Sequence, residues 1–408
     1  MGNILNIDRL TADSIDLLKE MIAIPSPSFE EEEVCSHICS WLEANGIVHQ
    51  RKGNNIIAEY ITDTSRPTLM LCAHIDTVSP STEYGFDPYT PDYKKVEETI
   101  SDIIGRQTDA SEIVAGLGSN DDGASAVAMI AAYRYFQHLS GDTGGVMDNP
   151  SQASLGPSPC GQGGSTVHHP TGISGKGNRP NLMLVLTCEE ERSGKGGMTG
   201  LWPELESKVD LAIIGEPTGM KAATSERGLL VIDATAHGIS GHAARNEGKN
   251  ALYIALDDIN RLREHNFSRI SPRMGKVNLN VTQISAGTAH NVIPDRCDFV
   301  IDIRPTEQYT NEEILKELQD ICTSELRPRN LANRSSATFV DSPLQKAAET
   351  LGIETFSSPT TSDWMRITCD AIKIGPGDSG RSHKKDEYVL VEEIRKGIEA
   401  YIEFINLL

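Results

Sequence analysis

The chain has 408 residues, of which 38% are hydrophobic and 23% are charged, and it carries a formal net charge of −21. That length exceeds the usual limit for one hydrophobic core, so we expect two domains, and the strong negative charge argues against nucleic acid as a partner. No apolar run reaches membrane-spanning length, and the first residues lack the cationic and apolar regions of a signal peptide. Eight scattered cysteines without a CxxC pair favour the reducing cytoplasm.

The first part of the chain predicts two helices and then two strands. Apolar residues at helical spacing indicate helices over Ser14–Ile24 and Glu30–Asn45, and apolar runs indicate strands over Asn55–Tyr60 and Thr68–Ile75. The acidic run Glu30–Glu33 is expected to be a solvated first turn whose charge suits the helix dipole, rather than a metal site.

An imidazole and a carboxylate follow the second of these strands. In Leu69–Pro80, LMLCAHIDTVSP, an apolar run ends abruptly at His74 and Asp76. Open α/β sheets bind their ligands at the carboxyl ends of their strands, so the pair is a candidate metal site. A hydrogen-bonded structural pair is the alternative.

A further acidic position follows a glycine-containing turn. The stretch Pro80–Gly116 is mostly polar, and Asp121 or Asp122 then opens a long apolar helix, Ala124–Phe136. Either these aspartates only cap the helix, or one of them places a carboxylate at the same sheet edge as His74.

The next segment, Gly141–Pro180, is rich in glycine, proline, serine and asparagine and has little periodicity. This composition predicts a flexible insertion, to which we assign no role. Its adjacent His168 and His169 are expected to belong to a solvated loop rather than to a metal site.

The pattern of a buried strand followed by acids then occurs twice more. Asn181–Gly197 predicts a strand that ends at Glu189–Glu191, and Asp210–Thr218 predicts a strand that ends at Glu216. Three adjacent carboxylates repel one another unless a cation pairs with some of them, so a merely structural motif would be costly here. A charged loop is the alternative.

From about Lys221 the pattern predicts a small ferredoxin-like α+β unit, inserted into the larger α/β domain. The predicted domains are residues 1–222 with 330–408, and residues 223–329. The predicted elements of the unit are strands Leu229–Gly238, Lys276–Ala286 and Asp295–Pro305, helices Asn250–His265 and Asn311–Glu325, and a short strand near Leu326–Arg329. The α/β pattern then resumes, with a strand and glycine-rich turn over Ile372–His383 and a closing helix over Glu392–Leu407.

Together, the predicted strand ends and turns supply two imidazoles and several carboxylates: His74, Asp121, Glu190, Glu191, Glu216 and His383. Such ligands suit zinc, with cobalt or manganese as substitutes. We expect one carboxylate to bridge two metal ions, and each ion to bind one further histidine and one further acid. This arrangement uses every residue of the set except Glu190, which is then free to act as the general base. Coincidence explains any one of these positions, but not the whole set.

These motifs resemble the co-catalytic zinc amidohydrolase and exopeptidase family that contains acetylornithine deacetylase, succinyl-diaminopimelate desuccinylase, aminoacylase and glutamate carboxypeptidase. The resemblance covers nearly the whole chain and rests on LLKEMIAIPSPS, AHIDTV, GLGSNDDG, TCEEE, GEPT, GISGHAARNEGKNAL, HNVIPD, DIRP and GPGDSGRSHKKDE. It implies a zinc-exopeptidase-like α/β catalytic domain with an inserted ferredoxin-like lid and dimerisation domain. It also implies that Glu190 is the general base, that Asp76 orients His74, and that the metal ligands are His74, Asp121, Glu191, Glu216 and His383.

Three more site residues follow from the resemblance alone. It implies a homodimer in which His242, on the inserted domain, reaches the active site of the partner subunit and binds the developing oxyanion. It also implies that Asn291 and Arg304 hold the α-carboxylate of the substrate. Without the family, His242 would be interpreted as a surface residue and Arg304 as an exposed charge. The DDGA turn departs from the family, because Asp122 is an extra acid close to the metals.

Within the family, GPGDSGRSHKKDE and TSDW (Thr361–Trp364) look closest to the acetylornithine and acetylcitrulline deacetylase branch. The implied reaction is the hydrolysis of a small-molecule N-acyl amino acid in arginine biosynthesis, with neither nucleic acid nor membrane as a partner. Alternatives are a succinyl-diaminopimelate or N-succinyl amino acid desuccinylase, and a dipeptidase or carboxypeptidase. An inactive metal-binding regulator is a further alternative, but it predicts the loss of a ligand or base, and none is missing.

Overall fold

The computed structural model describes residues 5–141, 179–245 and 247–408. In these ranges the helices are α1 (Ile7–Ile22), α2 (Glu32–Ala44), α3 (Tyr93–Ile104), α4 (Ala124–Gly141), α5 (Met198–Leu205), α6 (Ala251–Glu264), α7 (Asn311–Ile321), α8 (Pro343–Thr350) and α9 (Val391–Leu407). The strands are β1 (Gln50–Lys52), β2 (Asn55–Tyr60), β3 (Thr68–His74), β4 (Ile113–Ala115), β5 (Asn181–Thr187), β6 (Leu211–Ile214), β7 (Ala222–Glu226), β8 (Leu230–His237), β9 (Gly241–His242), β10 (Asn278–Ala286), β11 (Val292–Ile293), β12 (Arg296–Arg304), β13 (Glu325–Pro328), β14 (Ser336–Ala337), β15 (Thr355–Ser358), β16 (Asp370–Lys373) and β17 (Tyr388–Leu390). Most of the predicted insertion, including His168 and His169, lies outside the described residues.

A nine-stranded mixed sheet forms the centre of the larger domain. Its order is β1-β2-β5-β3-β6-β16-β7-β14, and β15 pairs with β7. β3 runs parallel to β5 and β6, and β16 runs parallel to β6. Every residue of β3 and β5 is buried, as expected of central strands that are covered on both faces. The carboxyl ends of β3, β5, β6 and β16 therefore lie at one edge of the sheet.

Helices cover both faces of this sheet. On one face α1, α4 and α9 share a buried cluster in which Leu17, Met129 and Tyr401 pack with the strands. On the other face α5 contributes Trp202 to a second cluster that includes Met70 of β3. None of the helices in the described ranges is both long and apolar enough to cross a membrane.

The smaller domain has its own antiparallel sheet and its own core. The strand order is β10-β12-β8-β13, and α6 and α7 pack on this sheet, where Ala255 and Leu318 join Ile232 and Phe299 in a separate buried cluster. The chain order β8-α6-β10-β12-α7-β13 confirms the predicted ferredoxin-like fold, to which the short β9–β11 pair is an addition. β10 is an edge strand and leaves most of its residues exposed.

The structure differs from the sequence analysis in three details of the N-terminal half. The stretch Pro80–Gly116 contains α3 and β4; its helix was missed because only two of the 12 residues of α3 are buried, which leaves a very narrow apolar stripe. α1 begins at Ile7, earlier than predicted, since the side chain of Asn6 caps it. The run Glu30–Glu33 is not wholly solvated, because Glu31 is completely buried.

Candidate metal centre

Six residues that the sequence pattern singled out converge at the carboxyl edge of the large sheet. They lie at or just after the ends of β3, β5 and β6, in the turn before α4 and in the glycine-rich turn after β16: His74, Glu190, Glu191, Glu216, Asp121 and His383. A cavity of about 620 Å³ opens at this edge, and all of these residues except His74 line it. Because parallel strands end on the same side, residues far apart in the chain meet here.

Asp121 lies between the two histidines. Its Oδ1 is 3.2 Å from Nε2 of His74, and its Oδ2 is 3.7 Å from Nε2 of His383. His383 also lies 2.9 Å from Oε1 of Glu191. A carboxylate with one oxygen facing each imidazole has the arrangement that a bridging ligand between two cations requires.

The ring of His74 is oriented by its own turn. Its Nδ1 lies 3.0 Å from the backbone carbonyl oxygen of Asp76, so Nδ1–H donates there and Nε2 faces Asp121. Burial lowers the pKa of His74, but hydrogen bonds with Asp121 and Asp76 outweigh it and raise the pKa well above its usual value. Metal-ligating histidines commonly donate their second N–H to a carbonyl or carboxylate in this way.

Asp76 is more than an orienting partner of His74. Its carboxylate accepts the backbone N–H of Glu190 at 3.0 Å and that of Glu191 at 3.1 Å. It also accepts the hydroxyl of Ser28 at 2.7 Å. The side chain of Asp76 therefore holds the turn that carries both glutamates, a long-range contact that the His-x-Asp spacing does not predict.

The acidic side chains of the candidate metal centre lie close to one another and are only partly balanced by nearby positive charge. Burial raises the pKa of Glu190 well above its usual value, and the carboxylate of Glu216 adds to the effect. Burial likewise raises the pKa of Glu216, with Asp121 adding to it. Candidate ligand atoms lie within 4.8 Å of one another in two groups, His74 with Glu190 and Glu216, and His74 with Asp121 and Glu191. This donor set fits divalent cations, which would neutralise carboxylates that otherwise repel one another.

Sequence analysis assigned no role to Glu387, which holds the turn before α4. Its carboxylate accepts the backbone N–H groups of Gly118, Asn120 and Asp121 at 3.1, 2.9 and 2.9 Å. Burial raises the pKa of Glu387 to about 8, and the nearby charge of Asp121 contributes. The signal in the sequence was the place of Glu387 at the end of the motif GPGDSGRSHKKDE, four residues after His383.

Two further buried charges lie beside the centre. Asp122 does not line the 620 Å³ cavity; its Oδ2 instead accepts the backbone N–H of His74 at 3.4 Å, and burial raises its pKa to about 8. Lys373, at the end of β16, lines the cavity and pairs with Glu226, its Nζ lying 2.9 Å from Oε2. Both side chains of this ion pair are almost completely buried.

Three predicted residues lie elsewhere, on the smaller domain. His242 and Asn291 are exposed neighbours, because the N–H of Ala243 donates to the carbonyl oxygen of Asn291 at 3.0 Å. Both Nε and one terminal nitrogen of Arg304 donate to Asp302, at 2.9 and 3.2 Å. Among the described residues, those that line the cavity include none of the three. Within one chain, the structure does not bring them to the metal centre.

Comparison with known proteins shows what this chain is similar to. Residues 224–330 match the peptidase dimerisation domain. The acetylornithine deacetylase of Myxococcus xanthus is 28% identical over 242 residues, a match that spans 52% of this chain and 61% of that protein. The succinyl-diaminopimelate desuccinylase of Wolbachia sp. subsp. Brugia malayi (strain TRS) is 22% identical over an alignment of 426 residues, which covers 97% of this chain and 93% of that protein.

Solved structures agree on the fold. A dinuclear metal-binding peptidase of the M20 family from Bacillus subtilis superposes with a TM-score of 0.65, at 14% identity, over 98% of both chains. At that identity the likeness supports only the fold, a mixed α/β domain with an inserted α+β domain. The chain therefore resembles the metallopeptidases and amidohydrolases of the M20 family over nearly its whole length, and its residues 224–330 match their dimerisation domain.

Proposed function

We propose that the protein is a metal-dependent amidohydrolase that removes the acyl group of an N-acyl amino acid, with N-acetylornithine or N-acetylcitrulline as the expected substrate. The observation that carries the proposal is the convergence of two imidazoles and four carboxylates at one edge of the sheet, where all of them except His74 line one cavity. Hydrolysis of an amide requires a base for the attacking water, stabilisation of the charge that develops on the carbonyl oxygen, and a proton for the leaving nitrogen.

The proposed metal ligands lie at one edge of the large sheet: His74, Asp121, Glu191, Glu216 and His383. Asp121 would serve both ions, since each of its oxygens faces a different imidazole. Bound divalent ions would supply Lewis acidity, which activates a water molecule and polarises the amide carbonyl. Zinc is the expected ion, with cobalt or manganese as substitutes.

Glu190 is the proposed general base. Glu190 lines the cavity, and its backbone N–H donates a hydrogen bond to Asp76 at 3.0 Å. This hydrogen bond fixes the backbone from which the side chain of Glu190 extends. Glu190 takes a proton from the attacking water while the new C–O bond forms. It then delivers that proton to the amide nitrogen as the C–N bond breaks, which releases a carboxylic acid and a free amino acid.

We propose that the remaining contacts come from a second subunit. His242, Asn291 and Arg304 lie outside the cavity of their own chain, so they would bind the substrate in the cavity of the partner subunit. There His242 would stabilise the developing oxyanion, and Asn291 and Arg304 would hold the α-carboxylate of the substrate. Exposed apolar residues on this domain support a homodimer: Tyr253 and Leu256 of α6 and Ile284 of the edge strand β10 are 65%, 43% and 49% exposed in the single chain.

A cavity of about 620 Å³ also has room for a dipeptide, so peptidase activity is the competing function. The deciding experiment measures amine release by the zinc- or cobalt-loaded protein from N-acetylornithine, N-acetylcitrulline, N-succinylornithine, N-succinyl-diaminopimelate and two dipeptides. We expect a clear preference for an acylated ornithine or citrulline, and loss of the activity in the Glu190→Gln variant purified in the same way. A preference for dipeptides would keep the metal centre but overturn the deacetylase assignment.

A further inference from the structure

Glu31 is a buried acid for which the metal chemistry above has no role. It immediately precedes α2 and has no exposed surface, whereas Glu30, Glu32 and Glu33 beside it are exposed. In the described part of the chain Glu31 forms no ion pair, so hydrogen-bond donors have to compensate its charge. Three donors in the described residues do so, and one of them belongs to the turn that carries Glu190 and Glu191.

The carboxylate of Glu31 joins two distant segments. Its Oε1 accepts the backbone N–H of Phe29 at 2.8 Å and that of Glu189 at 3.0 Å, across 158 positions of sequence. Its Oε2 accepts the side-chain amide of Asn54 at 3.2 Å. The backbone of Glu189 has a φ of 59°, a left-handed conformation that a non-glycine residue adopts only when its surroundings hold it there.

Glu31 and Asp76 together hold the acidic turn. Asp76 accepts the next two N–H groups, those of Glu190 and Glu191, at 3.0 and 3.1 Å. Three consecutive N–H groups of the turn therefore each donate to a buried carboxylate. Both anchors also bind the segment that precedes α2, because the hydroxyl of Ser28 donates to Asp76 at 2.7 Å.

We propose that Glu31 is a positioning residue for the metal centre, which acts through the backbone of Glu189 to direct the carboxylates of Glu190 and Glu191 toward the metals and the substrate. This inference rests on the proposed function for its catalytic consequence, but the placement of the turn can be tested without turnover. Loss of the Glu31 carboxylate would leave the backbone N–H of Glu189 without its acceptor, while Asp76 still holds those of Glu190 and Glu191. The start of the turn would therefore become more mobile while the sheet edge beneath it stayed in place.

The test compares Glu31→Ala and Glu31→Gln with the control Glu33→Ala, which changes an exposed member of the same acidic run. In the metal-free proteins, hydrogen–deuterium exchange of peptides that cover residues 188–192 reports on the turn directly. We expect faster exchange there in Glu31→Ala, with exchange of β3 and β6 unchanged. Glu31→Gln keeps an acceptor oxygen for the two backbone N–H groups and should restore most of the protection.

Metal binding provides the second readout. We expect Glu31→Ala to weaken the apparent affinity for cobalt, measured by competition with a chelator, by about 10- to 100-fold and to change the visible spectrum of the cobalt-loaded protein. We expect kcat to fall by about 100-fold with little change in KM, because a misplaced carboxylate costs mainly the chemical step. Glu33→Ala should change none of these quantities.

A purely structural role gives a different result. If Glu31→Ala lowers only the free energy of unfolding, and the folded variant keeps the wild-type exchange of residues 188–192, cobalt affinity and spectrum, the proposal is wrong. If the wild-type protein hydrolyses no acylated amino acid, the proposed function fails, but the exchange and cobalt measurements still decide the role of Glu31.

Discussion

Glu387 accepts a hydrogen bond from the backbone N–H of Asp121 at 2.9 Å, although 266 positions of sequence separate the two residues. The same carboxylate accepts the N–H groups of Gly118 and Asn120, so it organises the whole turn that presents Asp121 to both histidines. The placement of Asp121 therefore depends on the C-terminal part of the chain as well as on the helix that follows it.

Removal of the Glu387 carboxylate should weaken both the fold and the metal site. We expect Glu387→Ala to lower the free energy of unfolding by about 1–3 kcal/mol, because buried N–H groups lose their acceptor. Metal affinity should fall by about 10- to 100-fold. Urea unfolding and chelator competition measure the two effects. The control Glu392→Ala removes an exposed acid of the same region, and equal metal affinity in both variants would contradict the assigned role.

Glu190→Gln and His74→Ala should separate the base from the ligands. We expect Glu190→Gln to keep its metal content while turnover falls by about 10²- to 10⁴-fold, because only proton transfer is lost. His74→Ala should lose metal as well as turnover. Elemental analysis and initial rates give both numbers. The atoms of Glu190 lie close enough to His74 and Glu216 for coordination, so loss of one metal ion in Glu190→Gln would make it a ligand and overturn its assignment as the base.

The buried ion pair between Lys373 and Glu226 should matter for stability. Lys373→Met leaves the carboxylate of Glu226 buried without its cation, which we expect to lower the free energy of unfolding by about 3–5 kcal/mol. The matched control Lys208→Met breaks an exposed pair with Glu59 and should cost at most about 1 kcal/mol. Urea denaturation compares the two. Equal small losses would show that Glu226 finds another way to compensate its charge.

Mixing two inactive variants tests whether His242 acts across the dimer. If it does, a hybrid of Glu190→Gln and His242→Ala subunits has one site with both the wild-type base and the partner's histidine. Random mixing should then restore up to about a quarter of the wild-type activity. If His242 acts within its own chain, every site in the mixture lacks one residue and no activity returns. A Tyr253→Glu, Leu256→Glu variant shown to be monomeric by sedimentation should fold and bind metal but turn over slowly.

The sequence alone was enough to predict the class of fold and to single out six residues that the structure brings to one edge of the large sheet. The apolar runs that lead to His74, Glu190 and Glu216 predict buried strands, and each run can be identified without knowing which strands it pairs with. Parallel strands have their carboxyl ends at the same edge of a sheet, so these residues were expected to lie together. The alternation and order of elements in the smaller domain likewise predicted its ferredoxin-like fold. These features are local in the chain, so a pattern of neighbouring residues carries them.

Only the tertiary structure decided how the centre is supported. Glu31, Asp76 and Glu387 hold backbone N–H groups that lie more than 100 positions away in sequence, and no periodicity reports such a contact. Glu31 is buried although the neighbouring glutamates of the same run are exposed. The sequence does not predict this difference, because the four residues are of the same type. The position of His242 outside the cavity of its own chain is likewise a matter of tertiary structure, because sequence spacing does not show which residues line a cavity. Residue types determine which chemistry is available, whereas long-range hydrogen bonds and packing determine where each group is held.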